Sequence, residues 1–319
     1  MPRVTVVTVY YNRRDHVCRS LQSLLDQDLE DFRILAIDDG STDDTFEQLL
    51  RLAGPKLSVQ THPNIGFTRA IRDALATIQS EFVAIHGSGD ISAPARLSRQ
   101  LHYLDAHPGV GFCGTASDTR DVVTGRVVGQ RRHRRSALSA RDFRRTPPFT
   151  HGSVMFRRSV YQQAGGYEPR LKFCADWDLW LRLLRHAEGH FINENLYHQL
   201  AQLDGASFHP VKSVEQLRYR ALILSLAALS DTAREARLAL LEQQGIVAAT
   251  ADLSSSVVAA IARRRVKLEL MGRAADAGRL TSTLASEFGR DPPLLRLAAV
   301  LAGLIYRWRA RSGDTRRST

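Results

Sequence analysis

Apolar positions along the first two-thirds of the chain come in blocks that alternate between strand length and helical spacing. Residues 4–9 form a short β-rich run that ends in the polar caps Tyr10-Tyr11-Asn12. Residues 15–25 place Val17, Leu21, Leu24 and Leu25 at helical spacing. Residues 33–37 form a second β-rich run, which stops at Asp38-Asp39-Gly40-Ser41. Strand, crossover helix and strand predict a βαβ unit with parallel pairing. The alternation continues as a helix at 45–52, a strand at 57–60, a helix at 68–78, a strand at 82–85, a helix at 93–107 and a strand at 110–114. Residues 120–145 are basic and poor in apolar residues, which predicts a long loop or hairpin excursion, and such loops in compact domains are usually functional or disordered. Order resumes with a strand at 153–156, a helix at 159–164, a helix starting near Asp176, and a short edge strand at Phe191-Ile192 followed by a loop over 193–207. Beyond Val214 the texture becomes Ala/Leu/Arg-rich, with helical segments predicted at 215–229, 232–244, 254–270 and 275–288. The expected architecture is α/β, a mostly parallel sheet flanked by helices over residues 1–210, with a helical C-terminal region and basic tail over 211–319.

In open parallel sheets, ligands bind at the carboxyl ends of the strands, where residues 8–12 and 38–41 both fall. Two adjacent carboxylates there are a costly clustering of like charge. Turn chemistry and a helix N-cap explain Asp38 to Asp44 equally well when that stretch is taken alone.

Taken together, the strand ending in Tyr11-Asn12 and the strand ending in Asp38-Asp39-Gly40-Ser41-Thr42-Asp43 resemble the opening of the family 2 glycosyltransferases with the GT-A fold. The likeness runs to about residue 208. It implies that Thr8, Tyr11, Asp38 and Asp39 hold the nucleoside of a nucleotide-diphospho-sugar, with UDP the first expectation. After the strand at 82–85, the family carries an Asp-x-Asp pattern holding Mg²⁺ or Mn²⁺ against the diphosphate. Here the chain reads His86-Gly87-Ser88-Gly89-Asp90, and alignment on Ile91-x-x-Pro94-x-Arg96-Leu97 puts Asp90 at the final acidic position, expected to touch metal. The glycines leave metal dependence open. His151, in a His-x-Ser segment ahead of Gly165-Gly166-Tyr167, resembles an acceptor or phosphate contact. Ala175-Asp176-Trp177-Asp178-Leu179 resembles the helix that carries the family's general base, which assigns that role to Asp176. Inverting sugar transfer needs one such carboxylate to take the acceptor hydroxyl's proton, whereas a glycosidase uses two. Asp178, at a helix start, reads as structural. The expected arrangement brings Asp39, Asp90 and Asp176 to one pocket at the sheet's carboxyl edge.

Composition narrows the rest. Net charge is +11, with 44 Lys+Arg against 33 Asp+Glu, and arginine blocks at 131–135, 141–145 and 307–317 favour an anionic partner or a solvated surface. No aromatic-interleaved basic platform accompanies them, so nucleic acid is not an expected partner. Cys18, Cys113 and Cys174 fit neither a disulfide framework nor a zinc spacing and read as reduced thiols of a cytoplasmic protein. Met1-Pro2-Arg3 runs straight into the first strand, so no secretory leader is expected. No apolar run approaches the roughly 20 residues that spanning requires. Residues 294–311, apolar then basic, suit either a peripheral contact at the membrane's inner face or a helix docked on its own domain. The helical region is a candidate for homodimerisation. The processive-synthase pattern Gln-x-x-Arg-Trp is absent, since Leu304 precedes Ile-Tyr-Arg-Trp308. The leading reading is therefore single-sugar transfer to a glycan or lipid-linked hydroxyl, with bacterial surface glycan synthesis the context the resemblance suggests. The rival is a degenerate, non-catalytic nucleotide-sugar-binding module.

Overall fold

The computed structural model describes residues 1–201, 210–270, 275–280 and 282. The chain divides into two compact units, residues 1–202 and 203–319.

In the first unit the expected alternation is present. β1 (Val4–Tyr10) is followed by α1 (Val17–Leu25), β2 (Phe32–Asp38), α2 (Thr45–Leu52), β3 (Leu57–Thr61), α3 (Phe67–Thr77) and β4 (Phe82–Gly87). Every residue of β1 is buried, as a strand covered on both faces requires. β3, β2, β1 and β4 lie side by side and pair in parallel. Val4, Val6, Ile34, Phe82, Ala84 and Leu21 of α1 belong to the core cluster that holds this half of the sheet to its helices.

The second half of the unit departs from a simple parallel order. After β5 (Ile91–Ser92) and α4 (Arg96–Ala106) come β6 (Val110–Asp121), β7 (Val127–Arg131) and β8 (Ala137–Leu138). β9 (Val154–Arg157), α5 (Arg158–Gln163), α6 (Ala175–Leu183) and β10 (Glu188–Ala201) complete the unit. Among the described residues the sheet order is β3-β2-β1-β4-β9-β6-β10-β5, with β7 on β6 and β8 on β10. β9 runs antiparallel between β4 and β6, and β10 runs parallel to β6.

Two sequence expectations change. The loop expected from residue 193 is strand as far as Ala201, and the strand expected to stop at Gly114 continues to Asp121. Their polar residues satisfy one another across the pair. Asp118 accepts from His198 Nδ1 at 2.8 Å, from Asn195 Nδ2 at 3.0 Å and from Arg120 Nε at 3.1 Å. The basic excursion contains the β6–β7 hairpin and a short 3₁₀ turn at Ala140–Phe143.

The second unit contains α7 (Pro210–Leu226), α8 (Asp231–Ala249) and α9 (Ser254–Leu270), packed on Val214, Val257 and Ile261. Asp231–Val266 is long and apolar enough, by length and composition, to cross a membrane. Gly245 breaks it, with φ 81° and ψ 179°, and Val257 and Ile261 within it are fully buried. The helix and tail expected over 294–311, and the last residues of the helix expected over 275–288, lie outside the described residues.

Candidate active site

Thr8, Tyr11, Asp38 and Asp39 all stand at the carboxyl edge of β1 and β2, as the βαβ reading requires. Thr8 is buried, while Tyr11 is 47 % exposed. Asn12 takes a left-handed conformation (φ 51°) and accepts from the Thr42 N–H at 2.8 Å. Its own N–H donates to Ser41 Oγ at 2.9 Å, so the two loops are tied together.

The adjacent carboxylates are each met by protein donors, which offsets the cost of burying like charges together. Asp38 accepts from Thr61 Oγ1 at 2.9 Å and from the Ser41 N–H at 3.3 Å. Asp39 accepts from the Ile65 N–H at 2.9 Å and the Gly66 N–H at 3.1 Å. Asp39 thus fixes the loop that leads into α3, whose first residue, Phe67, is exposed.

The segment 86–90 is organised around two residues that the motif reading did not single out, His86 and Tyr197. The His86 imidazole lies buried among Ser20 Oγ (3.1 Å from Nε2), the Asp90 carbonyl (3.1 Å from Nε2) and Ser92 Oγ (3.2 Å from Nδ1). A carbonyl only accepts, so Nε2 carries the proton and Nδ1 accepts from Ser92. Burial, with Arg96 adding to it, pushes His86 far below its ordinary pKa and keeps it neutral.

Tyr197 Oη accepts from the Gly87 N–H at 2.9 Å and donates to Asp90 Oδ2 at 2.6 Å. Asp90 Oδ1 accepts from the Leu200 N–H at 3.1 Å. Burial pushes the Asp90 carboxyl up to about 7, against the lowering effect of these bonds and of the Arg13 charge. Gly87 is needed for this packing, since a Cβ there would lie 2.4 Å from Asp90 Oδ2. Beneath the turn, the fully buried Arg96 donates to the carbonyls of Ile85 (3.0 Å) and Gly152 (2.9 Å) and lies over the Tyr197 ring.

A divalent cation requires several oxygen ligands in one place. Gly87 and Gly89 offer no side chain, and both Asp90 oxygens face donors on β10. Among the described residues, no group of three or more His, Cys, Asp or Glu side chains is placed to hold a metal ion. These residues do not fit the resident Mg²⁺ or Mn²⁺ that the resemblance leads one to expect at Asp90.

Asp176 lies in the first turn of α6, half-buried, after Cys174 in a left-handed conformation (φ 59°). Its charge acts on the His151 imidazole, the Tyr167 phenol and the Arg131 guanidinium. His151 Nε2 is 2.7 Å from Tyr167 Oη, and burial lowers the imidazole's pKa below its ordinary value. Asp178 pairs with Arg182 at 2.8 Å, the structural role its position suggested. Arg182 also donates to the Ala164 and Gly166 carbonyls, closing α6 onto the Gly165-Gly166 turn.

The short 3₁₀ turn at His151–Ser153 links the separate acidic segments. His151 meets the Phe67 ring edge-on at 5.6 Å, next to the loop Asp39 holds. Gly152 is pressed against the Asp90 turn, where a Cβ would lie 1.9 Å from Tyr197 Oη and 2.7 Å from the Gly87 nitrogen. His151 also feels the Asp176 charge. The segments carrying Asp39, Asp90 and Asp176 therefore meet around residues 151–152. Their carboxylates do not share a single focus: Asp39 faces residues 65–66, Asp90 faces β10, and the Asp176 charge acts on the His151–Tyr167 pair.

The profile of Glycosyl transferase family 2 matches residues 5–165, just over half of the chain. The chain is 28 % identical over 207 residues to a putative glycosyltransferase, EpsE, of Bacillus subtilis, covering 61 % of this chain and 72 % of that protein. It is 29 % identical over 189 residues to the amylovoran biosynthesis glycosyltransferase AmsE of Erwinia amylovora, covering 56 % and 69 %. Among solved structures it resembles S. aureus TarS 1-349 in complex with UDP-GlcNAc (TM-score 0.59, 19 % identity, 90 % of this chain and 92 % of that one). It also resembles the mannosyltransferase PcManGT of Pyrobaculum calidifontis in complex with GDP-Man and Mn²⁺ (TM-score 0.56, 18 % identity, 90 % and 87 %).

Proposed function

The chain belongs to glycosyl transferase family 2 and has the GT-A fold, and from that premise we propose that it moves one sugar from a nucleotide-diphospho-sugar to an acceptor hydroxyl with inversion. Thr8, Tyr11, Asp38 and Asp39 form the nucleoside end of the donor site, with UDP the favoured nucleotide. Asp38 and Asp39 act chiefly by holding the 39–42 and 64–66 loops in place. Of these four, the Tyr11 ring is the group exposed to meet a nucleoside, while the Thr8 side chain is buried behind it in β1.

Asp176 is the base. As the acceptor oxygen forms its bond to the anomeric carbon, the bond from that carbon to the diphosphate oxygen breaks on the opposite face. The nucleoside diphosphate leaves with the bonding electron pair, and Asp176 takes the acceptor hydroxyl's proton. His151, kept neutral by burial and bonded to Tyr167, borders that carboxylate. The acceptor is a hydroxyl of a glycan or lipid-linked glycan, in keeping with the polysaccharide setting of AmsE.

The observation that carries the reading is the placement of Asp176, half-buried at a helix start beside His151, on the turn that also touches the Asp39 loop. Asp176→Asn is expected to abolish transfer, about a thousandfold or more, while calorimetric binding of the nucleotide is retained. Unchanged turnover would remove Asp176 from the chemistry. The glycines at 87 and 89 favour a second reading, a non-catalytic nucleotide-sugar-binding module, under which wild type and Asp176→Asn would bind donor alike and neither would transfer.

A further inference from the structure

Where the resemblance places a metal ligand, the 87–90 turn is closed on itself and on β10. At Gly87 the space a side chain would fill is taken by the Asp90 carboxylate, whose Oδ2 lies 2.4 Å from where a Cβ would stand. Asp90 occupies that space to reach Tyr197 Oη at 2.6 Å and the Leu200 N–H at 3.1 Å, both on β10. Gly152 has no room for a Cβ against the same Tyr197 hydroxyl, so the closure is packed from two sides. The one acid of the turn is thus the clasp that fastens residues 87–90 to the end of β10.

A leaving diphosphate still needs positive charge facing it. Arg13 is the positive charge that acts on Asp90. It follows Tyr11 and Asn12 at the carboxyl edge of β1 and is half-buried; its backbone N–H donates to Thr45 Oγ1 at 2.8 Å, and its guanidinium donates to the Asn12 carbonyl at 3.4 Å. The left-handed turn at Asn12 just before it is fixed by Ser41 and Thr42. A guanidinium is suited to phosphate through its planar fork of donors.

Resting on the donor site of the proposed function, we propose that this chain binds its nucleotide without a resident divalent cation, with Asp90 clasping the 87–90 turn to β10 and Arg13 supplying the positive charge toward the diphosphate.

The test is calorimetric titration of UDP and GDP into the full chain, in EDTA and again with Mn²⁺ or Mg²⁺ in excess, for wild type, Arg13→Gln and Arg13→Lys. The nucleotide that binds is expected to do so with dissociation constants that agree within about twofold with and without metal. Arg13→Gln is expected to weaken it roughly tenfold to a hundredfold, the range for losing a hydrogen-bonded charge. Arg13→Lys should recover part of that loss, and both variants should keep the wild-type circular dichroism spectrum. Binding that appears only with Mn²⁺ or Mg²⁺ overturns this inference and leaves the donor site standing. Metal-independent binding that Arg13→Gln leaves intact overturns the role of Arg13. If neither nucleotide binds under any condition, this inference and the donor site fall together.

Discussion

Replacing Tyr197 with Phe removes one oxygen and two buried hydrogen bonds, and the structure fixes how the cost should vary with pH. The hydroxyl donates to Asp90 at 2.6 Å and accepts from the Gly87 N–H at 2.9 Å, with Tyr197 fully buried and Asp90 nearly so. A hydrogen bond to a charged group contributes about 1.5–3 kcal/mol, and an orphaned buried donor costs about 1–3 kcal/mol. Asp90 is raised by burial from 3.8 to about 7 in the folded chain. The folded state therefore holds a proton between those values that the unfolded state has released, so the contribution of Asp90 to stability falls as pH rises through that window. The Tyr197 hydroxyl bonds to the anion and limits that fall. Without it, the loss at pH 5 is about 2 kcal/mol, from the orphaned Gly87 N–H, and at pH 8 about 4 kcal/mol, with the anion's donor gone as well. For a unit of about two hundred residues this is a Tm decrease of roughly 6 °C at pH 5 and roughly twice that at pH 8. Thermal unfolding of wild type and Tyr197→Phe, followed by circular dichroism at both pH values, measures it. Equal decreases at the two pH values, or less than about 2 °C at pH 8, would refute the clasp.

The other packing predictions are independent of titration. Gly152→Ala places a Cβ 1.9 Å from Tyr197 Oη and should destabilise by about 1–3 kcal/mol or prevent soluble expression, read by the same melts. Asp178→Asn breaks the buried pair with Arg182 and should lower stability by about 3 kcal/mol. Below its melting point, Asp178→Asn should keep turnover per folded molecule within about threefold of wild type, in contrast to Asp176→Asn. A loss of turnover as deep as that of Asp176→Asn would show that Asp178 takes part in the reaction.

The sequence makes the first half of the catalytic unit readable because its burial and its periodicity agree. β1, β2 and α2 fall within about a residue of their expected spans, since each strand is a near-continuous apolar run ending in a polar cap. β10 was not readable past Ile192. Its Asn193-Glu194-Asn195 stretch looks like loop in isolation, and becomes strand only because Asn195 and His198 find Asp118 on β6 across two register shifts. Similarly, Gly-Ser-Gly-Asp shows that ligands are missing but not that Asp90 turns inward, because the reason is Tyr197, more than a hundred residues away. His151 and Asp176 were legible as candidates from their motifs. The Tyr167 hydroxyl that fixes His151 depends on a tertiary contact no spacing encodes.

The most direct test of the central claim is to incubate the purified chain with UDP-, GDP- and dTDP-sugars, without and with a hydroxyl acceptor, and to follow the anomeric protons of donor and product by NMR. Consumption of one donor, with a product of inverted anomeric configuration and no turnover by Asp176→Asn, is the predicted result. A product that retains the donor's configuration, or an Asp176→Asn variant that turns over like wild type, would contradict it.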